Sequence, residues 1–151
     1  MVSRRVFATA TIAFSLAMLP GWSQPAPKGG ELQVHATYTG SGAVDSQHKL
    51  YVVLWDTPDF PKNMGALPIA VKPTVSNDAT VKFDNVVKTP VYVSLAFDPT
   101  GKWEARTAPP AGTSLGLYAK VPGTPAPVEM APGKITKISA TLDDSFKAPA
   151  R

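Results

Sequence analysis

The chain has 151 residues, enough for one domain of ordinary size, and it contains no cysteine. The lack of cysteine excludes disulfides, thiolate metal sites, thiol catalysis and a lipidated N-terminal cysteine. The formal charge is +4, but lysines and acids alternate along the chain without forming a clustered patch, so we expect no nucleic-acid partner.

The first 23 residues predict a cleaved export signal. Arg4 and Arg5 give it a positive start, residues 6–19 are apolar and uncharged, and Gly21-Trp22-Ser23 offers small residues before a cleavage site. The apolar run is shorter than the roughly 20 residues that a membrane-spanning helix needs, so we expect no membrane span after cleavage. The mature protein, with 13 basic and 11 acidic residues, is therefore expected in the periplasm or outside the cell.

The export route stays open between two alternatives. Ser3-Arg4-Arg5-Val6-Phe7 resembles the twin-arginine motif, although Ala8 and Thr9 follow it, and paired arginines also occur in ordinary signals. Behind the signal, residues 24–30 contain two prolines and two glycines and predict a flexible lead-in. We expect one domain over residues 31–146 and a short tail over 147–151.

Short strands separated by proline and glycine account for the domain. Leu32, Val34, Ala36 and Tyr38 alternate with other residues at the period of a half-buried strand, whereas Leu50 to Trp55 is apolar on both faces, as in a central strand. The predicted strands cover residues 32–38, 50–55, 67–71, 80–83, 91–97, 117–121, 128–130 and 135–142. The period of the last one slips near Thr136-Lys137, where we expect a β-bulge.

The same pattern predicts the fold class. The mature chain shows no sustained helical period, and most of its 16 prolines would break a helix. About seven short strands at this spacing predict an all-β protein with a single antiparallel β-sandwich, of the immunoglobulin-like kind or a related one. A small closed barrel is the alternative.

The segment VKFDNVVKTPVYVSLAFDPTG, residues 81–101, resembles a pattern in prealbumin-like (transthyretin-like) sandwiches. These include carboxypeptidase regulatory-like domains and small exported bacterial proteins of unknown function. Thr89-Pro90 stands where the pattern has a turn glycine. The resemblance implies a prealbumin-like sandwich and suggests carbohydrate or protein as the ligand class. The positions that carry it are Phe83, Asn85, Val86, Tyr92, Asp98 and Gly101.

Candidate metal ligands are few. Asp98 and Glu104 lie near each other in the chain, but calcium takes six to eight oxygens, usually from several carboxylates in one loop. The alternative is that Asp98 caps backbone amides in a turn. His35 and His48 are far apart and no cysteine accompanies them, so we expect neither a transition metal nor a cofactor.

No catalytic constellation is evident either. The chain has no Gly-x-Ser-x-Gly elbow, and Asp143 and Asp144 are neighbours that point to opposite faces of a strand. It also lacks the C-terminal Tyr-Arg-Gly-Ser of the prealbumin-like hydrolases of urate breakdown. We therefore expect no enzyme; the alternative is a small hydrolase or metal-dependent enzyme in which the two histidines, or Asp98 and Glu104, converge with a third group.

Aromatic residues in loops are the candidate binding residues. Trp103 lies in an irregular stretch beside charged residues, and Phe60 and Tyr118 lie near two other loops, the places where sandwiches carry recognition surfaces. We expect an exported module that binds carbohydrate or protein in the cell envelope; the alternative for Trp103 is packing under its loop. A third interpretation is a structural envelope protein that pairs through an edge strand near Leu67. The oligomeric state stays open.

Overall fold

The computed structural model describes residues 25–63, 66–105 and 107–150, so the predicted export signal lies outside the described residues. The described chain is all-β, with nine strands in three sheets, and it holds no helix long and apolar enough to cross a bilayer. The strands are β1 (Gly30–Tyr38), β2 (Leu50–Trp55), β3 (Ala70–Thr74), β4 (Ala79–Val86), β5 (Tyr92–Phe97), β6 (Ser114–Leu117), β7 (Ala119–Val121), β8 (Thr124–Pro125) and β9 (Ile135–Leu142).

The small sheet has the order β4-β1-β9, with β1 in the middle. Its pairing with β9 is parallel, from Glu31 opposite Ile135 to Tyr38 opposite Leu142, so the prediction of a purely antiparallel sandwich is wrong here. The reason lies in the preceding segment: the amide of Glu31 donates to the carbonyl of Lys134 at 2.9 Å, which brings the chain into β9 beside the start of β1.

The large sheet has the order β3-β2-β5-β6. As the apolar run predicted, β2 is central and covered on both faces. Leu50, Val52 and Leu54 point into the main core, while Tyr51 and Val53 belong to a second, smaller cluster on the outer face. The outer cluster is apolar and has no second sheet of the described chain over it, so loops shield it from water.

One main core lies between the three-stranded small sheet and the four-stranded large sheet, an arrangement compatible with a β-sandwich. Leu32, Val34, Leu95 and Phe97 are almost fully buried there. Full burial of each such side chain contributes about 1.5–3 kcal/mol relative to exposure. Because no strand of one sheet is paired with a strand of the other within the described residues, the alternative of a closed barrel is wrong.

Several strand predictions are displaced. The predicted edge strand at 67–71 is β3 at Ala70–Thr74, which tolerates Pro73 because the strand lies at a sheet edge. Residues 128–130 form only a single bridge, between Val128 and Val91. The eight predicted ranges become nine strands: the range 128–130 is lost, the range 117–121 is replaced by β6 and β7, and the two-residue β8 pairs with β7.

The β-bulge also lies elsewhere than predicted. The β1–β9 register runs without a shift past Thr136, because Ile135 faces solvent rather than the core. The irregularity lies between β1 and β4, where Asn85 has a left-handed φ of 52°. There the Asn85 Oδ1 accepts a hydrogen bond from the amide of Gly29 at 2.8 Å, which fixes the chain just before β1.

The end of the chain pairs with the edge of β6. The amide of Ala148 donates to the carbonyl of Thr113, and the amide of Leu115 donates to the carbonyl of Phe146. Ala148 is buried, whereas Phe146 is 61% exposed. The first residues of the predicted tail therefore contact the large sheet.

Candidate functional site

The loop after β5 is anchored by one buried carboxylate. Asp98 is fully buried, and its Oδ1 accepts hydrogen bonds from the amide and the hydroxyl of Thr100 at 2.8 and 2.7 Å. Its Oδ2 accepts a third from the amide of Trp103 at 2.8 Å. Each carboxylate oxygen thus has a partner, as a buried charge requires.

These hydrogen bonds keep Asp98 ionised. Burial by itself raises the pKa of the carboxyl group, but the hydrogen bonds from Thr100 and from the backbone amides of the loop outweigh it and lower the pKa below its ordinary value. Asp98 therefore acts as a charged anchor for the loop that carries Trp103.

A second loop supports the first. Gly101 has a φ of +67°, and a Cβ atom added there would lie 2.5 Å from the carbonyl oxygen of Gln47. Gln47 belongs to a turn in which Asp45 Oδ1 accepts hydrogen bonds from the amides of Gln47 and His48, both at 2.8 Å. The two turns pack so closely that only glycine fits at position 101.

Trp103 is held in place on the outer face of the large sheet. Its ring meets the ring of Tyr51 edge-on, with centroids 4.7 Å apart, and its Nε1 donates to the carbonyl of Thr107 at 3.0 Å. The Tyr51 hydroxyl donates to the Trp103 carbonyl at 3.3 Å. The ring is half-buried, so it covers the outer cluster and still reaches solvent.

An open pocket of about 480 Å³ lies over this loop. Trp103 supplies aromatic surface, while hydroxyl, ammonium and carboxylate groups surround it. The pocket therefore combines one aromatic ring with both hydrogen-bond donors and acceptors. Its lining residues are Thr100, Lys102, Trp103, Glu104, Thr107, Ala108 and Pro110.

Phe60 lies on the same sheet face as Trp103. It stacks on Trp55 at the end of β2, with ring centroids 4.6 Å apart and an interplanar angle of 6°. The Trp55 Nε1 donates to the Ser94 hydroxyl at 2.9 Å, which fixes the Trp55 ring beneath Phe60. Sequence reasoning chose Phe60 but did not identify Tyr51 and Trp55 as the residues beneath the two rings.

Tyr118 is not brought to the pocket. It lies between β6 and β7, where its amide donates to the carbonyl of Val93 and its carbonyl accepts from the amide of Ala126, both at 2.9 Å. Its side chain is half-buried against the main core. Of the three candidate binding residues, the structure therefore places Trp103 and Phe60 on one face and Tyr118 elsewhere.

The two metal candidates do not form a pair of ligands. Asp98 is buried with both oxygens engaged by its own loop, whereas Glu104 is exposed at the pocket. No group of three or more histidines and carboxylates that could hold a metal ion is found in the described part of the chain. The turn-capping alternative gives the better description of Asp98.

The histidines have separate partners. His35 is on the outer face of the small sheet, where its Nε2 lies 2.8 Å from Asp78 and its Nδ1 lies 3.3 Å from the Thr80 hydroxyl. His48 is in the turn before β2 and contacts Asp45 at 3.1 Å. The aspartate–histidine–threonine order resembles a catalytic relay, but it lies on a half-exposed strand face, and the two histidines do not converge.

A polar network at Asp144 was missed by sequence reasoning. Its Oδ1 accepts from the Tyr38 and Ser114 hydroxyls, both at 2.6 Å, and its Oδ2 accepts from the amide and hydroxyl of Ser41, both at 2.8 Å. Asp144 has the same strand parity as the inward-facing Leu142, and that parity is the signal that could have revealed it.

The network shifts the pKa of both main partners. The hydroxyls of Ser114, Tyr38 and Ser41 hold the pKa of Asp144 far below its ordinary range, while burial, followed by the hydrogen bond to Asp144, raises the pKa of Tyr38 to about 12. The network ties the end of β1 to β6 and to the chain after β9. Because hydrogen bonds from the protein occupy both of its oxygens, we interpret Asp144 as a structural residue.

No protein-family model matches the chain, and neither a curated protein nor a solved structure matches it. A proposal for the function therefore rests on the geometry of the site itself.

Proposed function

We propose that the chain is an exported, non-enzymatic module that binds carbohydrate in the cell envelope through the pocket at Trp103. The observation that carries the proposal is the preformed position of this ring. Asp98 holds its amide, Thr107 accepts from its indole nitrogen and Tyr51 contacts its edge. A ring fixed in advance loses little entropy on binding, which favours affinity.

The surroundings of the ring favour a sugar over a purely apolar ligand. Lys102 and Glu104 offer one donor and one acceptor of opposite charge. The hydroxyls of Thr100 and Thr107 donate to Asp98 and to the Glu104 carbonyl, and they can still accept hydrogen bonds. Neither Lys102 nor Glu104 has a salt-bridge partner within the described ranges. The side chains of Lys102 and Glu104 can therefore contact sugar hydroxyls while the indole supports the apolar face of the sugar ring.

We propose further that the fold is a prealbumin-like sandwich. Three positions of the sequence pattern support this: Phe83 is in the core, Asn85 is at the strand irregularity and Asp98 anchors the following loop. In immunoglobulin constant-type domains the first two strands share one sheet, whereas here β1 and β2 lie in different sheets. The prealbumin-like form of the sandwich is therefore favoured over the immunoglobulin-like form.

The test is calorimetric titration of the purified protein against soluble glycans, peptides and divalent metals. We expect saturable binding of a glycan, lost or weakened at least about thirtyfold in Trp103→Ala, as for a central aromatic contact. Phe146→Ala is the matched control, since Phe146 is an exposed ring outside the pocket. Equal glycan affinity in wild type and Trp103→Ala, or binding of peptides alone, would contradict the proposal.

A structural role in the envelope is the second candidate. Leu67 is 79% exposed and Ile69 is 40% exposed, directly before the edge strand β3. Exposed apolar residues beside an unpaired strand edge favour association with another chain. Sedimentation at high concentration decides: a strict monomer, also with envelope extract added, would count against this candidate.

A further inference from the structure

The ring of Trp103 has a counterpart on the same face of the large sheet. Tyr51 and Trp55 both contribute to the outer cluster, because the alternate residues of β2 point into the main core. Trp103 contacts Tyr51, and Phe60 stacks on Trp55. Two separate loops therefore bring one aromatic ring each onto the same strand.

The distance between these two places exceeds the size of one sugar unit. Tyr51 and Trp55 are four residues apart on an extended strand, which separates their Cα atoms by about 13 Å. Each ring contacts one of these two residues, so this strand spacing serves as the measure of how far apart the two rings lie. A chain of linked sugars, unlike a single sugar, is long enough to extend from one ring to the other across this face of the sheet.

The surface around the second ring resembles the first in composition. Phe60 and Trp55 are both half-buried, and the Ser94 hydroxyl lies beside them as the acceptor for the indole nitrogen. Asp56 and Thr57 follow directly on Trp55 and add further polar groups. Each place therefore offers an aromatic ring next to hydrogen-bonding side chains.

We propose that Trp103 and Phe60 form two subsites for one extended glycan chain, so that the ligand is an oligosaccharide or polysaccharide rather than a free sugar. The inference rests on the proposed function, because it assigns a chain length to the ligand of the same site. It predicts that affinity rises with chain length only when both rings are present.

The experiment uses chito- and malto-oligosaccharide series, from the monosaccharide to the hexasaccharide, with Kd measured by calorimetry. In wild type we expect Kd to fall by at least about tenfold once the chain spans both rings. Phe60→Ala should lose this gain, whereas Trp103→Ala should weaken every length. Phe60→Leu keeps apolar cover over Trp55 and should also lose the gain, and Phe146→Ala should retain it.

Two different failures are distinguishable. If short sugars bind and Trp103→Ala weakens them, but Kd does not depend on length or Phe60→Leu keeps the full gain, the two-subsite inference is wrong and the proposed function stands. If no member of either series binds wild type, or if Trp103→Ala binds every length as wild type does, both are overturned.

Discussion

The buried carboxylate of Asp98 accepts a hydrogen bond from the backbone amide of Trp103 at 2.8 Å, and this contact sets the position of the candidate binding ring. Because the carboxylate also holds Thr100, the whole turn depends on one side chain. The residue that first suggested a metal ligand is therefore a positioning residue for the aromatic pocket.

Asp98→Asn tests the anchor. The amide keeps the shape of the side chain but replaces one acceptor by a donor, which then faces a loop N–H or hydroxyl. We expect a loss of about 1–3 kcal/mol in the free energy of unfolding, the usual cost of a buried polar group left without its partner. Urea unfolding followed by circular dichroism measures it. Asp84→Asn, at an exposed position of β4, should change little; equal midpoints for all three proteins would refute the anchoring role.

Acid should destabilise the protein through Asp98 and Asp144. Hydrogen bonds lower the pKa of both carboxyl groups in the folded state below their value in the unfolded chain, about 3.9. Their contribution to stability is therefore complete above about pH 4 and is lost as the pH falls through the folded pKa. We expect Asp144→Asn to show a smaller drop in urea midpoint between pH 7 and about pH 3 than wild type. Identical drops in both would show that Asp144 is not coupled to stability.

Gly40→Ala tests the packing of the Asp144 network. A Cβ atom at Gly40 would lie 2.5 Å from both Asp144 Oδ1 and the Tyr38 hydroxyl, closer than real Cβ contacts allow. We expect a cost of about 1–3 kcal/mol, as for overpacking in a well-packed region. Because the hydroxyl is one of the two clashing groups, the cost should shrink in a Tyr38→Phe background. Equal costs in the two backgrounds would place the strain elsewhere.

Substitutions of Asn85 test how this residue stabilises the irregularity between β1 and β4. Its left-handed backbone suits asparagine or glycine, and its side chain holds the amide of Gly29. We expect Asn85→Ala to cost about 1–2 kcal/mol from backbone conformation, with a further loss from the hydrogen bond. Asn85→Gly relieves the backbone and should cost less. Thermal unfolding of the two variants compares them directly, and the reverse order would contradict the interpretation.

Much of the fold could be predicted because its signals are local. The alternation at Leu32, Val34 and Ala36 marks β1, and the apolar run at Leu50 marks the central strand. The parallel pairing of β1 with β9 could not be predicted, because it depends on where the chain crosses between sheets. Strand number was underestimated where short strands such as β7 and β8 rest on a tight turn.

The site was only partly predictable for the same reason. Trp103 and Asp98 are close in sequence, so a turn joining them could be anticipated. The partners of the two rings, Tyr51 and Trp55, come from a strand some distance away in the chain, and no single sequence reveals that contact. The same pattern of loop aromatics predicts Tyr118 and Phe60, yet the position of Tyr118 between β6 and β7 turns it toward the main core.

The most direct test of the central claim is fluorescence of Trp55→Phe protein titrated with a glycan that binds in calorimetry. In protein produced without residues 1–23, the predicted signal that contains Trp22, Trp103 is then the only tryptophan. Contact between sugar and indole predicts a saturable change in emission, with the calorimetric Kd, together with protection from acrylamide quenching. Full calorimetric binding with unchanged Trp103 emission and unchanged quenching would contradict the claim that this ring forms the binding site.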